Sequence, residues 1–462
     1  MSIDSSLETS SAQAHANITS PPGFEVEKPG PVPVMPQHTR PDTLVPHQPC
    51  LPPELTDRVL DYLDAESDGP TLRACSLAGR VLHPRARANL LRELEIWSRQ
   101  KCDAAAVWFA APQYARCVQH LRLISSTSDE WDDETTAALL RCFHPRIREE
   151  RDFSDHEMGD TCAAGVKTLD MFWIKVEEMP LTSAVLAIPS VTTLSFSYLW
   201  FASPEDFRCF IDGFPALERL TMGRIICVGE ASLPWSSSRV ALQSAPKPRL
   251  HTLDISDMEE KYGRQELVLQ WLLNQEPEHI HIKWLGYNGF RNGLELPLAV
   301  LKALGASVEH LYMGRGMSSV FPWQPQPRRD AGLDPLLQHL TSLRTIELDF
   351  RSREPEERVR FTMEDLMAQI KSTPRSIYVH IVGQWAPEAI LDTWDLGHLD
   401  NALSFQSQYD QLEDVNVKIS VFMHARHEHE RAPGTQMVGR VLSAMPEMRE
   451  RGVLRVKMEY LK

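Results

Sequence analysis

A short hydrophobic pattern recurs along most of the chain: an apolar residue, two variable residues, a second apolar residue, one variable residue and a third apolar residue. Alternate residues of a strand point to opposite sides, so the last two apolar positions predict a short strand with one buried face. The clear copies are Val118/Leu121/Leu123, Val166/Leu169/Met171, Val191/Leu194/Phe196, Leu217/Leu220/Met222, Leu250/Leu253/Ile255, Val308/Leu311/Met313 and Leu343/Ile346/Leu348. Weaker copies surround Ile280/Ile282, Val379/Ile381, Val417/Ile419 and Val456/Met458.

Helical stretches separate these predicted strands, at 204–213, 265–274, 298–304 and 363–370. From Leu169 to Val379, successive copies of the pattern lie about 25 to 35 residues apart, which is enough for one strand and one helix. The alternation predicts an α/β fold, in the form of an irregular leucine-rich-repeat-like solenoid with a parallel sheet over residues 97–462. A doubly wound α/β sheet also alternates strand with helix and is the open alternative.

In such a sheet, the residue between the second and third apolar positions faces away from the core. This rule predicts a row of charges and hydroxyl groups on a concave face, where we expect a partner protein to bind. Its members are Arg122, Asp170, Ser195, Thr221, Asp254, His281, Tyr312, Glu347, His380, Lys418 and Lys457, with Phe172, Trp173, Trp200 and Trp284 as aromatic neighbours. A plain solvated strand face would carry similar residues, so both interpretations stay open.

The first 49 residues contain nine prolines and almost no aromatic residues. Such a stretch buries too little apolar surface to offset the entropy lost on ordering, so residues 1–49 are predicted to be a disordered tail. A short amphipathic helix follows, with prolines in its first turn and with Leu55, Val59, Tyr62 and Leu63 on one face.

The stretch from about Cys50 to Ile96 resembles the F-box, a small three-helix domain that attaches substrate receptors to the Skp-type adaptor of cullin-based ubiquitin ligases. The likeness is carried by Leu51-Pro52-Pro53-Glu54-Leu55, by Leu72 to Arg80, and by Pro84 to Arg87 with Leu90 to Leu94. The second half resembles the form found in large fungal F-box families, which carry a Trp where this chain has Leu82. This departure would weaken the adaptor contact at that position.

The resemblance implies an adaptor-facing set of apolar positions, namely Leu51, Pro52, Leu55, Val59 and Leu63. The alternative is an ordinary helical subdomain at 50–96 whose apolar stripe closes on its own core.

Composition narrows the class of protein. The formal net charge of −15 comes from 63 acidic and 48 basic residues, so a nucleic-acid partner is not expected. We find neither an apolar run that could cross a membrane nor a secretory signal, and the eight scattered cysteines indicate neither disulfides nor a zinc ribbon. We therefore expect an intracellular protein, cytoplasmic or nuclear.

Candidate catalytic motifs are weak. His424, His427 and His429 lack the spacing of a zinc protease helix, because Ala425 stands where a Glu should follow the first His. Gly314-Arg315-Gly316 lacks the third glycine of a phosphate-binding loop, and no Gly-x-Ser-x-Gly elbow occurs. We expect no catalytic residue, no metal and no cofactor.

These features favour a non-catalytic substrate receptor. The F-box-like helices would bind a Skp-type adaptor, and through it a cullin, while the repeats hold an unidentified target protein. Two alternatives stay open: a repeat-based interaction scaffold without a ligase, and an α/β enzyme whose site is assembled from distant residues.

Overall fold

Short strands and helices alternate along the chain in the computed structural model. The described residues are 52–65, 67–79, 82–125, 133–143, 165–176, 188–227, 248–255, 265–275, 280–287, 295–313, 336–352, 367–383, 396–422 and 434–461. All of them belong to one unit, Pro52–Lys462. The tail predicted to be disordered lies outside the described residues.

Three short helices come first: α1 (Pro53–Asp61), α2 (Gly69–Ala78) and α3 (His83–Leu90). Each has a proline in its first turn, where the missing N–H has no intrahelical partner to lose. The helices enclose a small core of their own, made of Leu60, Leu72 and Ala86, with Leu63, Cys75, Leu82 and Leu90 packed against it.

The remaining elements are strands and helices. The strands are β1 (Glu93–Ile96), β2 (His120–Ile124), β3 (Thr168–Phe172), β4 (Lys175–Val176), β5 (Thr193–Ser197), β6 (Leu199–Phe201), β7 (Arg219–Met222), β8 (Ile225–Cys227), β9 (Leu250–Asp254), β10 (Ile280–Tyr287), β11 (His310–Met313), β12 (Thr345–Ser352), β13 (Ser376–Gly383), β14 (Asp414–Phe422) and β15 (Leu454–Leu461). The helices are α4 (Arg99–Phe109), α5 (Pro112–Ala115), α6 (Asp133–Arg141), α7 (Pro204–Asp212), α8 (Gln265–Leu273), α9 (Glu295–Leu304), α10 (Leu396–Phe405), α11 (Gly434–Ala444) and α12 (Pro446–Glu450). Among the described residues, no helix has the length and apolar character needed to span a bilayer.

Twelve strands form one large parallel sheet and stand in it in chain order, β1-β2-β3-β5-β7-β9-β10-β11-β12-β13-β14-β15. The strands β4, β6 and β8 form a second parallel sheet of three strands. The predicted mixed α/β fold with a large parallel sheet is therefore confirmed. Along the described strands the order never reverses, whereas a doubly wound sheet has a switch point where it does.

The predicted alternation of buried and polar positions is present in the strands. In β2, β5 and β11 buried residues alternate with half-buried ones. Helices cover the apolar face, as where Phe196 of β5 meets Phe210 of α7 edge to face with ring centroids 5.9 Å apart. We call the opposite side of the large sheet the polar face.

The large sheet begins earlier than the domain division of the sequence implied. Strand β1 pairs with β2 from Glu93 opposite His120 to Ile96 opposite Leu123, and Ile96 is buried in the main core. A boundary after residue 96 would cut this strand from its sheet. The reason is local, because Leu94 and Ile96 alternate with acidic residues at strand spacing and do not continue α3.

Gly305, directly after α9, lies against the backbone of the next unit. A Cβ added there would collide with the carbonyl oxygen of His339 and lie 2.7 Å from its carbonyl carbon, whereas one added at Gly439 in α11 would meet nothing within 4 Å. The chain therefore offers a matched pair of glycines.

We expect Gly305→Ala to lower the free energy of unfolding by about 1–3 kcal/mol, because α9 and the turn at Leu336–His339 must separate. Gly439→Ala, the control, should raise it by about 0.5–1 kcal/mol, because alanine restricts the unfolded chain. Urea denaturation followed by circular dichroism measures both. Equal stability of Gly305→Ala and the wild type would contradict the close approach.

Candidate protein-binding surfaces

The first candidate surface is one side of α1. Leu55, Val59 and Tyr62 follow one another at helical spacing and are 46%, 56% and 88% exposed. Leu60, on the other side of the helix, is buried in the small core of the three-helix bundle. The bundle therefore closes on Leu60 and leaves an apolar stripe in solvent.

The F-box resemblance implied five adaptor-facing residues, and four of them lie in the described part of the chain. Pro52 is exposed, as are Leu55 and Val59, whereas Leu63 is half-buried and packs against the bundle core. Leu51 lies outside the described residues. Leu82, which stands in the place of the usual Trp, also packs against the bundle core.

Polar contacts hold α3 against α1. Arg85 donates to the carboxylate of Asp61, from Nε to Oδ1 at 2.6 Å and from a second nitrogen to Oδ2, and these hydrogen bonds hold the pKa of Asp61 below its usual value. Asn89 Nδ2 donates to the carbonyl oxygen of Leu60 at 2.7 Å. The exposed stripe thus belongs to a helix fixed in place by its neighbour.

The second candidate surface is the polar face of the large sheet. Strand pairing puts one polar-face position of every strand into a single line across the sheet, which we call the first row. Its members are Glu95, Arg122, Asp170, Ser195, Thr221, Asp254, Gly286, Tyr312, Glu347, Tyr378, Asn416 and Arg455. The predicted register is therefore right at Arg122, Asp170, Ser195, Thr221, Asp254, Tyr312 and Glu347.

The predicted register is wrong at His281. Gly286 stands opposite Asp254 and Tyr312, and His281 lies near the start of β10. The cause is an irregularity in β10, whose pairing with β9 shifts between Ile280 and Trp284. The apolar pattern matched Ile280 and Ile282, but Leu285 is the residue in line with Leu253 and Leu311.

The predicted register is also wrong at His380, and Lys418 and Lys457 share the error. His380 lies two residues beyond the first row, opposite Asp349 and Lys418, and Lys418 lies opposite Lys457. The last strands are long, and the repeat pattern matches a later pair of apolar residues in each of them. The position in line with Ile346, for example, is Ile377 and not Val379. The three residues form part of a second row on the polar face.

Near the start of the sheet, Asp170 binds two neighbours on one strand. Its Oδ2 atom lies 2.8 Å from His120 Nε2 and accepts a hydrogen bond from Arg122 Nε at 3.3 Å. Only 8% of Asp170 is exposed. Its carboxylate therefore interacts mainly with neighbouring side chains of the sheet and hardly with solvent.

An aromatic group lies further along the polar face, on β10 and β11. The Trp284 ring is nearly parallel to the rings of Tyr312 and His310, with centroids 5.9 Å and 5.5 Å away. Its indole extends along its own strand over Gly286, where a Cβ would lie 2.7 Å from Cζ3 and 2.8 Å from Cη2. Glycine is therefore what leaves room for the indole over this position.

A hydrogen-bonded network continues from Tyr312 towards the carboxyl-terminal strands. The Tyr312 hydroxyl donates to Asp349 Oδ2 at 2.9 Å, and Asp349 Oδ1 lies 3.7 Å from His380 Nδ1. His380 Nε2 lies 2.8 Å from Ser420 Oγ, which donates to Glu459 Oε1 at 2.9 Å. No local sequence pattern selects Asp349, Ser420 or Glu459, because only the pairing of five successive strands brings them together.

The contacts of His380 have the order of a Ser-His-Asp triad, but their geometry does not suit nucleophilic catalysis. The Ser420 hydroxyl gives its proton to Glu459, so it accepts from His380, and Ser420 is fully buried. The His380–Asp349 distance of 3.7 Å exceeds a hydrogen bond. A nucleophile must reach substrate and pass its proton to the histidine, so the arrangement favours a structural network.

Two aromatic residues adopt left-handed backbone where the large sheet leads into the small one. Trp173 (φ 60°) precedes β4 and Tyr198 (φ 59°) precedes β6, and their rings stack 3.7 Å apart. The guanidinium of Arg224 lies 4.8 Å from the Tyr198 ring centroid. Since such backbone costs about 1–2 kcal/mol for a residue with a Cβ, stacking helps to hold the corner.

The histidines at 424, 427 and 429 lie outside the described residues.

Lys418 and Ser420 hold the pKa of Glu459 below its usual value, because both donate hydrogen bonds to its ionised carboxylate. A carboxyl group with a depressed folded-state pKa contributes stability above its unfolded-state pKa and loses it as pH falls through the folded-state value. We expect Lys418→Met to raise the pKa of Glu459, so that less stability is lost below about pH 5 than in the wild type.

Urea denaturation at stepped acidic pH measures this difference. Lys371→Met, which removes an exposed lysine elsewhere, is the control and should follow the wild-type curve. Identical pH dependence in Lys418→Met and the wild type would count against the contact.

No protein-family model matches the chain, and no curated protein matches it.

Proposed function

We propose that this protein is a non-catalytic substrate receptor of a cullin-type ubiquitin ligase. In this proposal α1–α3 dock a Skp-type adaptor, and the polar face of the large sheet holds a target protein. The observation that carries the proposal is the exposed apolar stripe of Leu55, Val59 and Tyr62 on α1. Apolar surface gains about 25 cal/mol per Å² when it leaves water, so an uncovered stripe on a fixed helix favours a partner.

The small core of the three-helix bundle supports a docking role. Leu60, Leu72 and Ala86 are buried without contribution from the stripe, and the Arg85–Asp61 contact fixes the helices. A partner could therefore cover Leu55 and Val59 without unfolding the bundle. Docking of a preformed surface costs less conformational entropy than docking of a segment that must fold first.

We further propose that the large sheet belongs to an irregular leucine-rich-repeat-like solenoid. Its strands follow chain order, as expected when each strand–helix unit buries its apolar positions against the units before and after it. An extended sheet of this kind offers a long polar face. The first row, which mixes carboxylates, guanidinium groups, hydroxyls and aromatic rings, suits recognition of another protein.

The proposed role requires no nucleophile in this chain. A receptor acts by raising the effective concentration of target lysines near a charged conjugating enzyme. Rigidity and shape are then what the chain must supply. The buried position of Ser420 is consistent with such a role, and the α/β enzyme alternative has no comparable observation in its favour among the described residues.

We expect Leu55→Asp combined with Val59→Arg to weaken capture of a purified Skp-type adaptor by about tenfold or more, because the new charges would lose water at the contact. Asp suits the first turn of a helix and Arg the last turn, so α1 should stay folded. Pull-down with purified full-length protein, with circular dichroism to check folding, tests this expectation.

Phe405→Asp is the matched control, because Phe405 is 84% exposed at the end of α10. It should capture adaptor like the wild type. Undiminished capture by the double variant would contradict docking through α1. Failure of the wild type to capture any Skp-type adaptor would instead favour the scaffold alternative, in which the helices only cap the sheet.

A further inference from the structure

The aromatic group on β10 and β11 forms an apolar patch on the polar face, which we call the aromatic shelf and define as Trp284, Gly286 and Tyr312. The rings of Trp284 and Tyr312 differ by only 14° in orientation. Both residues are half-buried, so part of each ring stays in contact with solvent. Gly286 supplies the floor, because any larger residue would displace the indole.

Carboxylates border the aromatic shelf on both sides. A Cβ at Gly286 would overlap Oδ1 of Asp254, which places that carboxylate beside the indole. On the other side, Glu347 Oε2 lies 3.5 Å from His310 Nε2, and its side chain is 38% exposed. Asp349 follows in the second row and accepts from Tyr312.

The charged side chains described around the aromatic shelf are therefore mainly carboxylates. The polar-face side chains described for β9–β12 are Thr252, Asp254, Trp284, His310, Tyr312, Thr345, Glu347 and Asp349. This set includes three carboxylates, and Lys283, which is exposed in β10 next to Trp284, pairs with Glu309 at 3.4 Å. An anionic ligand would be repelled here, and a purely apolar one would strip water from the carboxylates without replacing their hydrogen bonds.

We infer that the aromatic shelf binds an arginine side chain of the target protein, an inference that rests on the proposed receptor function. A guanidinium is flat and weakly hydrated, so it can stack on the Trp284 ring while its N–H groups reach Asp254 or Glu347. A lysine ammonium fits less well, because it is a compact, strongly hydrated charge without a face to stack. The target would thus present a basic segment across β9–β12.

Calorimetric titration of the full-length protein tests the inference, with a short peptide of alternating arginine and glycine as the probe. The wild type should bind this peptide, and it should bind about tenfold more weakly a counterpart in which citrulline replaces arginine, because the charge is lost while the shape is kept. Trp284→Ala should weaken binding of the arginine peptide by about tenfold. Asp254→Asn should weaken it about threefold and reduce its salt dependence.

Trp97→Ala is the matched control, because Trp97 is 51% exposed and lies outside the shelf. It should bind the peptide like the wild type. Equal loss in Trp284→Ala and Trp97→Ala, or equal affinity in all three proteins, would overturn the inference, as would absence of binding by the wild type. If Trp284→Ala melts at a lower temperature, Trp284→Phe keeps an aromatic face and should retain part of the affinity.

Adaptor capture by Trp284→Ala, measured in parallel, separates the two proposals. Capture should equal that of the wild type, because the adaptor surface is on α1. Capture without peptide binding would overturn the shelf and leave the receptor proposal standing. Peptide binding without capture by the wild type would contradict the receptor proposal and leave arginine recognition in place.

Discussion

Parallel pairing between strands that follow one another in the chain is the constraint on which the rest of the structure depends. A parallel pair needs a connection long enough to return the chain to the same end of the sheet, and the segments between strands supply it. One consequence is that every strand presents its buried and polar positions in the same order. Residues as distant in sequence as Glu95 and Arg455 therefore belong to one row.

The same pairing explains how charges are accommodated on the polar face. Neighbouring parallel strands bring side chains of the same row and of adjacent rows close together, so an acidic residue can meet groups from the strands next to it. Asp170 binds His120 and Arg122, Asp349 binds Tyr312, and Glu459 binds Ser420. The three-helix bundle is organised differently, because it buries its own small core and leaves the stripe on α1 uncovered.

The hydrophobic pattern was enough to predict the α/β class, the large parallel sheet and the first row up to Asp254, because each early strand has one unambiguous pair of buried positions. It failed at β10 and β13, where extra apolar residues allow more than one register and only pairing selects among them. Contacts such as His380 with Ser420, and the left-handed backbone of Trp173 and Tyr198, depend on tertiary packing that no local pattern encodes. The exposure of Leu55 and Val59 followed from the F-box resemblance and not from the apolar pattern, since an apolar helical stripe looks the same whether it is covered or open.

Strand β15 is the outermost strand at the carboxyl-terminal end of the described sheet, so its free side has no further described strand to pair with. Unpaired edges invite other chains to add strands, which leads to aggregation. Charged residues recur along β15 at Arg455, Lys457 and Glu459, and a second chain in register would bring like charges together. The last strand thus protects a long parallel sheet against self-association.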